Sequence, residues 1–173
     1  MDLSEAIKGR RSIRNFKPDE VSEKDVERLI EAAVSAPSAG NIQPWELVVA
    51  RKPEIRRKLV EAAYGQSFIE EAPVVIVVCA NEGRSSQRYG LRGQTLYCLQ
   101  DTAAATQNML LTAYSLGLGT CWVGAFKEDE VREALKIPMG IRPVAIVPVG
   151  YPSKSASARQ KRPVEHVVHR ETF

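Results

Sequence analysis

The chain has 173 residues, of which 44% are hydrophobic and 26% are charged, and its 24 Lys and Arg against 21 Asp and Glu give a formal net charge of +3. These proportions are typical of one globular domain that can bury a core without disulfides or a structural metal, and they exclude a disordered, collagen-like or disulfide-stapled protein. The aromatic fraction of 6% and the small net charge argue against a nucleic-acid-binding protein.

The chain carries no signal for a membrane or an oxidising compartment. Its longest apolar run, residues 72–80, is far shorter than the roughly 20 residues of a membrane-spanning helix, and the polar N-terminus lacks a signal-peptide pattern. Cys79, Cys98 and Cys121 are widely spaced and odd in number, which favours reduced thiols that pack in apolar segments. We therefore expect a cytoplasmic protein with no membrane partner.

The first half of the chain predicts three helices and two strands. Apolar residues recur at helical spacing in three segments, and capping or stop residues bound each of them. Two β-branched runs predict strands, and the second is apolar throughout, as in a strand that is buried on both faces. The predicted helices cover residues 2–8, the segment from Ser22 to before Pro37, and 53–64, and the predicted strands cover 47–50 and 74–79.

The second half predicts the longest helix and two further strands. Residues 81–95 combine three glycines with several charges and no periodicity, which predicts a surface loop. Residues 96–116 predict a helix that is apolar around much of its girth and is buried in the domain or at a dimer seam. A strand at 120–123, a helix at 128–136, a strand at 144–149 and a polar, basic tail follow. Four strands among at least five helices predict a layered α+β domain, with the strand order left open.

The sequence lacks the common motifs for nucleotide binding and hydrolysis. Gly117-Leu118-Gly119 begins like a dinucleotide-binding motif, but it follows a helix and precedes a strand, which is the reverse of the required order. No P-loop or GxSxG motif is present, and His166 and His169 supply too few ligands for zinc. Any bound phosphate is therefore expected to meet side-chain cations or irregular loops.

Two clusters of cations are candidate phosphate ligands. Guanidinium groups match phosphate oxygens in pairs, so either cluster could hold a phosphomonoester. The alternative is an ordinary solvated basic surface. The clusters are Arg10, Arg11 and Arg14 around Ser12, and Arg159, Lys161 and Arg162 in the tail.

The loop between the second helix and the first strand is a second candidate ligand contact. Ser38, Gly40 and Asn41 supply a hydroxyl group, a backbone that a ligand can approach closely and an amide with donors and an acceptor. Together these groups could form hydrogen bonds with the edge of a planar heterocycle. The alternative is a simple helix-to-strand turn with Trp45 in the core.

Five segments in one order carry the most specific signal of the sequence. They are RRSIRNF at 10–16, PSAGNIQPW at 37–45, AP at 72–73, GLGTCWVGAF at 117–126 and KRPVE at 161–165. With these segments the chain resembles the nitroreductase family of FMN-dependent oxidoreductases. The resemblance covers nearly the whole chain, and the ordered set is specific because matching helices and strands are predicted between its members.

The resemblance implies a fold, an assembly and a reaction. The fold is a three-layer α/β/α variant of the α+β class with a central mixed, mainly antiparallel sheet, and residues 1–173 form one FMN-binding domain of an intertwined homodimer. The reaction is a ping-pong cycle in which NADH or NADPH delivers a hydride to flavin N5 and a nitroaromatic, quinone or flavin then takes the electrons. FMN carries this chemistry, so no catalytic side chain is expected. The alternatives are a flavin-storing protein with little turnover and a specialised reductive enzyme of the same fold.

The resemblance also implies cofactor contacts from both subunits. One subunit would place the side chains of the first segment against the flavin, with a cation near the pyrimidine end of the ring. Its Arg162 would hold the phosphate, and either Arg159 or Lys161 would replace the lysine that many members carry at the position of Gln160. Gln66 would reach the ring edge, and backbone amides around Gly124 would lie near N5. The full candidate set is Arg10, Arg11, Ser12, Arg14, Gln66, Cys121, Trp122, Val123, Gly124, Arg159, Lys161 and Arg162, with Pro37, Ser38, Ala39, Gly40, Asn41 and Gln43 contributed by the other subunit.

Overall fold

Seven α-helices surround a four-stranded sheet in the computed structural model, which describes residues 1–173. No helix combines the length and the apolar character that crossing a membrane requires. The helices are α1 (Leu3–Gly9), α2 (Glu23–Val34), α3 (Pro53–Ala62), α4 (Phe68–Glu71), α5 (Glu82–Arg92), α6 (Cys98–Ser115) and α7 (Glu128–Leu135). The strands are β1 (Trp45–Ala50), β2 (Val74–Asn81), β3 (Gly119–Thr120) and β4 (Ile141–Gly150). Short helical turns cover Ala39–Asn41, Gly93–Tyr97 and Val164–His166.

The strands pair in the order β1-β2-β4-β3, and every pair is antiparallel. The one parallel element is an isolated bridge between Ser12 and Thr120, which attaches the N-terminal segment to the β3 edge. In the centre of the sheet, Val77 lies opposite Val48 on one side and Ile146 on the other. The sheet is therefore antiparallel apart from that bridge.

Helices cover both faces of the sheet because β2 is apolar on both sides. Alternate residues of β2 point to opposite faces, and all of them from Val74 to Ala80 are buried. One face packs against α3, α4 and α7 and the other against α2 and α6. Burying each large side chain in these layers stabilises the fold by roughly 1.5–3 kcal/mol. The first layer contains Leu59, Ile69 and Val131, and the second contains Leu29, Met109 and Leu110.

The predicted starts of α2 and α3 are confirmed, and a cap that was not predicted begins α1. The Ser22 hydroxyl accepts the N–H of Asp25 at 3.1 Å and begins α2, as its position before an apolar repeat predicts. Asp2 and Glu5 form a capping box at the start of α1. Pro53 begins α3, where its missing N–H leaves no helical hydrogen bond unmade.

The loop predicted for residues 81–95 is wrong, because this segment is α5 followed by a π-helical turn. The Asn81 side chain accepts the N–H of Arg84 at 2.9 Å and caps the helix. Gly90 lies at φ 54° and ψ −142°, where the helical geometry breaks. Gly93 packs so closely that an added Cβ would lie 2.3 Å from the carbonyl oxygen of Ser85. Two of the three glycines that suggested a loop, Gly90 and Gly93, thus form a helix break and a tight helix contact.

Most element boundaries differ from the prediction by one to three residues, and β4 begins at Ile141 rather than at residue 144. Two further differences concern β3 and α6. The predicted strand at 120–123 is shorter, since β3 pairs only Gly119 and Thr120 with β4, and Val123 forms a single bridge to Ile146. The predicted helix at 96–116 begins at Cys98, after the π-helical turn. Its inner face is buried, whereas apolar residues on its outer face, including Leu99 and Leu111, are half-buried.

Candidate functional site

A cavity of about 970 Å³ lies between the N-terminal arginine segment and the C-terminal tail. Its lining contains no Asp or Glu, so the cavity is electropositive. The two predicted cation clusters therefore meet around one cavity, although about 150 residues separate them in the chain. The basic residues of the lining are Lys8, Arg10, Arg11, Arg14, Lys154, Arg159 and Lys161.

The arginine segment is held in an extended conformation beside β3 by an isolated bridge. The N–H of Ile13 donates to the carbonyl of Thr120 at 2.8 Å, and the Ile13 side chain is buried. Successive residues of an extended chain point to opposite sides, so Ser12 and Arg14 face outwards. An added Cβ on Gly119 would lie 2.8 Å from Ile13, which shows how closely the segment packs on the edge of β3. The alternation in this segment therefore places the side chains of Ser12 and Arg14 at the cavity and the side chain of Ile13 in the core.

Arg11 has a structural contact as well as a place in the lining. Its Nη1 donates to the carbonyls of Lys8 at 2.5 Å and Arg10 at 2.9 Å. These bonds satisfy backbone acceptors at the end of α1, where a positive charge also complements the helix dipole. Arg11 therefore stabilises the end of α1, which leaves Arg10 and Arg14 as the freer guanidinium groups of the segment.

The cations around the cavity have no carboxylate partners. The seven ion pairs of the structure all involve other basic residues. The Arg14 guanidinium lies 5.7 Å from the centre of the Phe68 ring, and that ring is buried. Grouped cations without counter-charges in a concave surface favour the binding of an anion such as a phosphate. The donor set thus fits a phosphorylated ligand.

A second cavity of about 630 Å³ adjoins the first. Both are lined by Arg10, Arg11 and residues 154–156, so they form two parts of one depression. The chain after β4 reaches this position because two backbone hydrogen bonds join residues 151 and 153 to residues 17 and 15, at 2.8 Å and 3.0 Å. Lys154 and Ser155 are lining residues that sequence reasoning missed, since only these long-range contacts bring them there.

The tail presents Arg159 and Lys161 to the first cavity but not Arg162. The Nη2 of Arg162 instead donates to the carbonyl of His166 at 3.0 Å. Every residue from Ser157 to the C-terminus is exposed. Within this chain the candidate phosphate ligands from the tail are therefore Arg159 and Lys161, and the assignment of Arg162 stays a prediction.

The segment at 121–124 alternates between the core and the surface. Cys121 and Val123 are buried, so they offer a ligand only their backbone, whereas Trp122 and Gly124 are exposed. Burial raises the pKa of the Cys121 thiol, and the neighbouring Arg14 guanidinium and Ser12 hydroxyl oppose part of that rise. Cys121 therefore lies beside the arginine segment as a neutral packing residue, as its apolar sequence context predicts.

Gln66 fixes the backbone near Gly124. Its Nε2 donates to the carbonyl of Ala63 at 3.0 Å and to the carbonyl of Ala125 at 3.1 Å. These bonds tie the turn after α3 to the segment that follows β3. No heavy atom lies within 4 Å of a Cβ added to Gly124, so the space above this backbone is open to a ligand. Gln66 thus holds in place the backbone that the resemblance puts at the flavin.

The loop at residues 37–43 lies apart from both cavities, since neither lining includes any of its residues. It packs instead against α5 and α6. The N–H of Ala39 donates to Oδ1 of Asp101 at 3.1 Å, and Nη1 of Arg88 donates to the carbonyl of Gly40 at 3.0 Å. Asn41 and Gln43 are exposed and joined by a side-chain hydrogen bond of 3.1 Å. The two candidate contact regions are therefore separate within one chain.

Comparisons with known proteins agree with the motifs. The sequence profile of the nitroreductase family matches residues 7–68 and 62–151. A protein named NADH dehydrogenase from Thermus thermophilus is 34% identical over 195 aligned positions, which cover 97% of this chain and 95% of that protein. The oxygen-insensitive NADPH nitroreductase of Salmonella typhimurium is 32% identical, over 98% of this chain and 73% of that protein.

The solved structures show the same fold. The NADPH:FMN oxidoreductase from Vibrio harveyi, solved in complex with NAD⁺, superposes on this chain with a TM-score of 0.91 at 26% sequence identity. The match covers 99% of this chain and 77% of that one. The resemblance seen in the five motifs is thereby confirmed by sequence and by structure. The chain belongs to the nitroreductase family.

Proposed function

We propose that this chain is an FMN-dependent oxidoreductase that uses NADH or NADPH to reduce small-molecule acceptors such as nitroaromatics, quinones or flavins. The observation that carries the proposal is the cavity in which two distant clusters of unpaired cations meet without an acidic residue. The names of the relatives support it, since they include an NADPH nitroreductase and an NADPH:FMN oxidoreductase. The cofactor contacts below are part of this proposal.

The cations that line the cavity make two kinds of contact with FMN in this proposal. Arg10, Arg159 and Lys161 are the side chains for the phosphate group, because charge-assisted hydrogen bonds to phosphate are the strong ones. Arg14 is the cation for the flavin ring, because the aromatic side chain of Phe68 beneath the Arg14 guanidinium restricts where that guanidinium can lie. When bound, FMN supplies a ring that accepts a hydride and passes the electrons on.

The protein's own groups then bind, orient and stabilise charge. A fixed positive charge at Arg14 lowers the free energy of negative charge on the reduced ring, and this stabilisation needs no proton transfer. Gln66 holds the backbone of residues 124–125 in one place through its bond to the carbonyl of Ala125, so that nearby N–H groups are preorganised. No pair of acid and base side chains is needed for this reaction class.

We further propose that residues 1–173 form one three-layer FMN-binding domain and that two copies form a homodimer, in which the loop at 37–43 of one protomer completes the cavity of the other. The separation of that loop from the cavity within one chain supports this arrangement. So do the exposed apolar residues of α1 and the tail, which a monomer would leave in water. These residues include Leu3, Ile7, Val164 and Phe173. Three free cysteines support a place in the reducing cytoplasm.

FMN binding, turnover and mass test the proposal together. Titration with FMN should quench flavin fluorescence at a saturable site, and the loaded protein should oxidise NADH or NADPH in the presence of a quinone or nitroaromatic. Initial rates at several acceptor concentrations should give parallel double-reciprocal lines, as ping-pong kinetics requires. Light scattering should give the mass of a dimer. Absence of saturable FMN binding would contradict the proposal, and binding without turnover would support flavin storage instead.

A further inference from the structure

The loop at residues 37–43 has an unusual backbone. Gly40, Asn41 and Gln43 have φ values of 55°, 56° and 53°, in the left-handed region. This region is unfavourable for residues other than glycine, least so for asparagine, so such a backbone persists only where the surroundings hold it. Hydrogen bonds within the loop support this backbone, among them those from the N–H of Gln43 to the hydroxyl of Ser38 at 2.9 Å and from the N–H of Asn41 to the carbonyl of Ser38 at 3.0 Å. Side chains of α6 and α5 add contacts to this loop from outside.

Asp101 holds the loop from the inside. It lies on α6, only 7% of its surface is exposed, and its Oδ1 accepts the N–H of Ala39 at 3.1 Å. Its Oδ2 is buried without a hydrogen-bond partner. A buried carboxylate with one unpartnered oxygen lowers the stability of a fold, so Asp101 is a poor choice for packing alone. The one hydrogen bond that its side chain makes is to the loop.

Arg88 and Arg84 hold the same loop from the outside. They lie one turn apart on α5, and both donate to backbone carbonyls of the loop. The Nη1 of Arg88 reaches the carbonyl of Gly40 at 3.0 Å, and the Nη1 of Arg84 reaches the carbonyl of Gln43 at 2.8 Å. The loop also packs against α5, since a Cβ added to Gly40 would lie 2.5 Å from the Tyr89 hydroxyl. The segment predicted as a loop is thus a helix that clamps residues 37–43.

We propose that Asp101 and Arg88 are positioning residues of the flavin site. They act through the backbone of the loop, from opposite sides, and hold Ser38 and Asn41 in the arrangement that meets the flavin. Neither side chain needs to touch the cofactor. The inference rests on the proposed function. In the proposed homodimer, Asp101 and Arg88 of each protomer position the loop that this protomer contributes to the flavin site of its partner.

Asp101 variants test this role through FMN affinity. Asp101→Ala removes the acceptor for the N–H of Ala39, and we expect the Kd for FMN to rise about tenfold or more, as for a lost hydrogen bond to a charged group. Asp101→Asn keeps an oxygen that can accept the same N–H, so its Kd should stay within about threefold of wild type. Thr106→Val is the matched control, because Thr106 is buried on the same helix and donates only to the carbonyl of Thr102.

Arg88 gives an independent test if Asp101→Ala does not fold. Arg88→Ala removes an exposed side chain, and we expect a rise of the FMN Kd of about fivefold or more with the unfolding temperature retained. Arg92→Ala, on the same helix, is its control, because Arg92 contacts Tyr97 rather than the loop. The circular dichroism of the bound flavin should change in Arg88→Ala but not in Arg92→Ala, since it reports how the protein surrounds the ring.

Three results would overturn the inference while leaving the proposed function intact. They are wild-type FMN affinity in both Asp101→Ala and Arg88→Ala, an equal loss of affinity in the Thr106→Val or Arg92→Ala controls, and a loss in Asp101→Asn as large as in Asp101→Ala. Failure of the wild-type protein to bind FMN would instead contradict the proposed function itself. The two failures are therefore distinguishable in one set of titrations.

Discussion

Substitution of Arg14 by alanine should weaken FMN binding far more than it weakens the fold. Arg14 is exposed and has no ion pair, and its guanidinium lies 5.7 Å from the centre of the Phe68 ring. Loss of a cation–π contact at an exposed site costs about 0.5–1 kcal/mol, which sets the scale of the expected loss in unfolding free energy. A hydrogen bond between a guanidinium and a charged or polar cofactor group contributes about 1.5–3 kcal/mol to binding.

These magnitudes set the size of the effect. A loss of 1.5–3 kcal/mol corresponds to a rise in the FMN Kd of roughly 10- to 150-fold, whereas a loss of 0.5–1 kcal/mol in stability shifts a urea midpoint only slightly. Arg14→Lys keeps the charge but not the planar fork, so its Kd should fall between those of wild type and Arg14→Ala. Arg28→Ala is a surface control, since Arg28 lies on α2 and pairs with Asp25 at 3.7 Å.

The assay is a fluorescence titration of each variant with FMN at one fixed salt concentration, with urea unfolding of the same samples. A Kd for Arg14→Ala within twofold of wild type would refute the assignment of Arg14 to the flavin site. Equal losses in Arg14→Ala and Arg28→Ala would show that surface charge in general, rather than this side chain, sets the affinity.

Three further predictions concern packing, thiols and pH. Gly93→Ala should lower the unfolding free energy by roughly 1–3 kcal/mol, because the new Cβ would lie 2.3 Å from the backbone carbonyl oxygen of Ser85, which no side-chain rotation can move. Chemical denaturation measures this loss, and an unchanged midpoint would contradict the close contact of Gly93 with α5. Burial raises the pKa of Cys79 to about 12 and also raises the pKa values of the Cys98 and Cys121 thiols. A chromogenic disulfide reagent should therefore label the native protein slowly at mild alkaline pH and the unfolded protein at once, and rapid labelling of the native protein would argue against this burial. Burial also raises the pKa of Asp101, so the stability of the wild type relative to Asp101→Asn should be greatest at acidic pH and should fall as the pH rises through the folded-state pKa. Thermal unfolding of both proteins across the acidic range measures this difference in stability, and a difference that rises with pH would contradict the raised pKa.

The sequence predicted those parts of the fold that local pattern controls. The continuous apolar run of β2 indicated a central strand, and the cap at Ser22 placed the start of α2. The segment of α5 was missed because it contains few apolar residues and its glycines are typical of loops. Its helix is capped by Asn81 and contacts the loop at 37–43. Such contacts join residues that are distant in sequence, and no local pattern records them.

The candidate site shows the same division between local and long-range information. The cation clusters were visible as residue types, but their meeting around one cavity depends on the hydrogen bonds that hold the chain after β4 beside the N-terminal segment. Arg11 was placed with the phosphate ligands by its position in the motif, although its guanidinium mainly binds carbonyls at the end of α1. Asp101 gave no signal at all, because one carboxylate in an apolar helix is unremarkable until its contact with Ala39 is known.

The most direct test of the proposed function is the visible spectrum of the FMN-loaded protein under anaerobic conditions, before and after addition of NADH or NADPH. We predict that one or both nicotinamides bleach the flavin absorbance stoichiometrically and that a nitroaromatic or quinone then restores it. A flavin that binds tightly but keeps its oxidised spectrum with both nicotinamides would contradict the assignment of this chain as an NAD(P)H-dependent oxidoreductase.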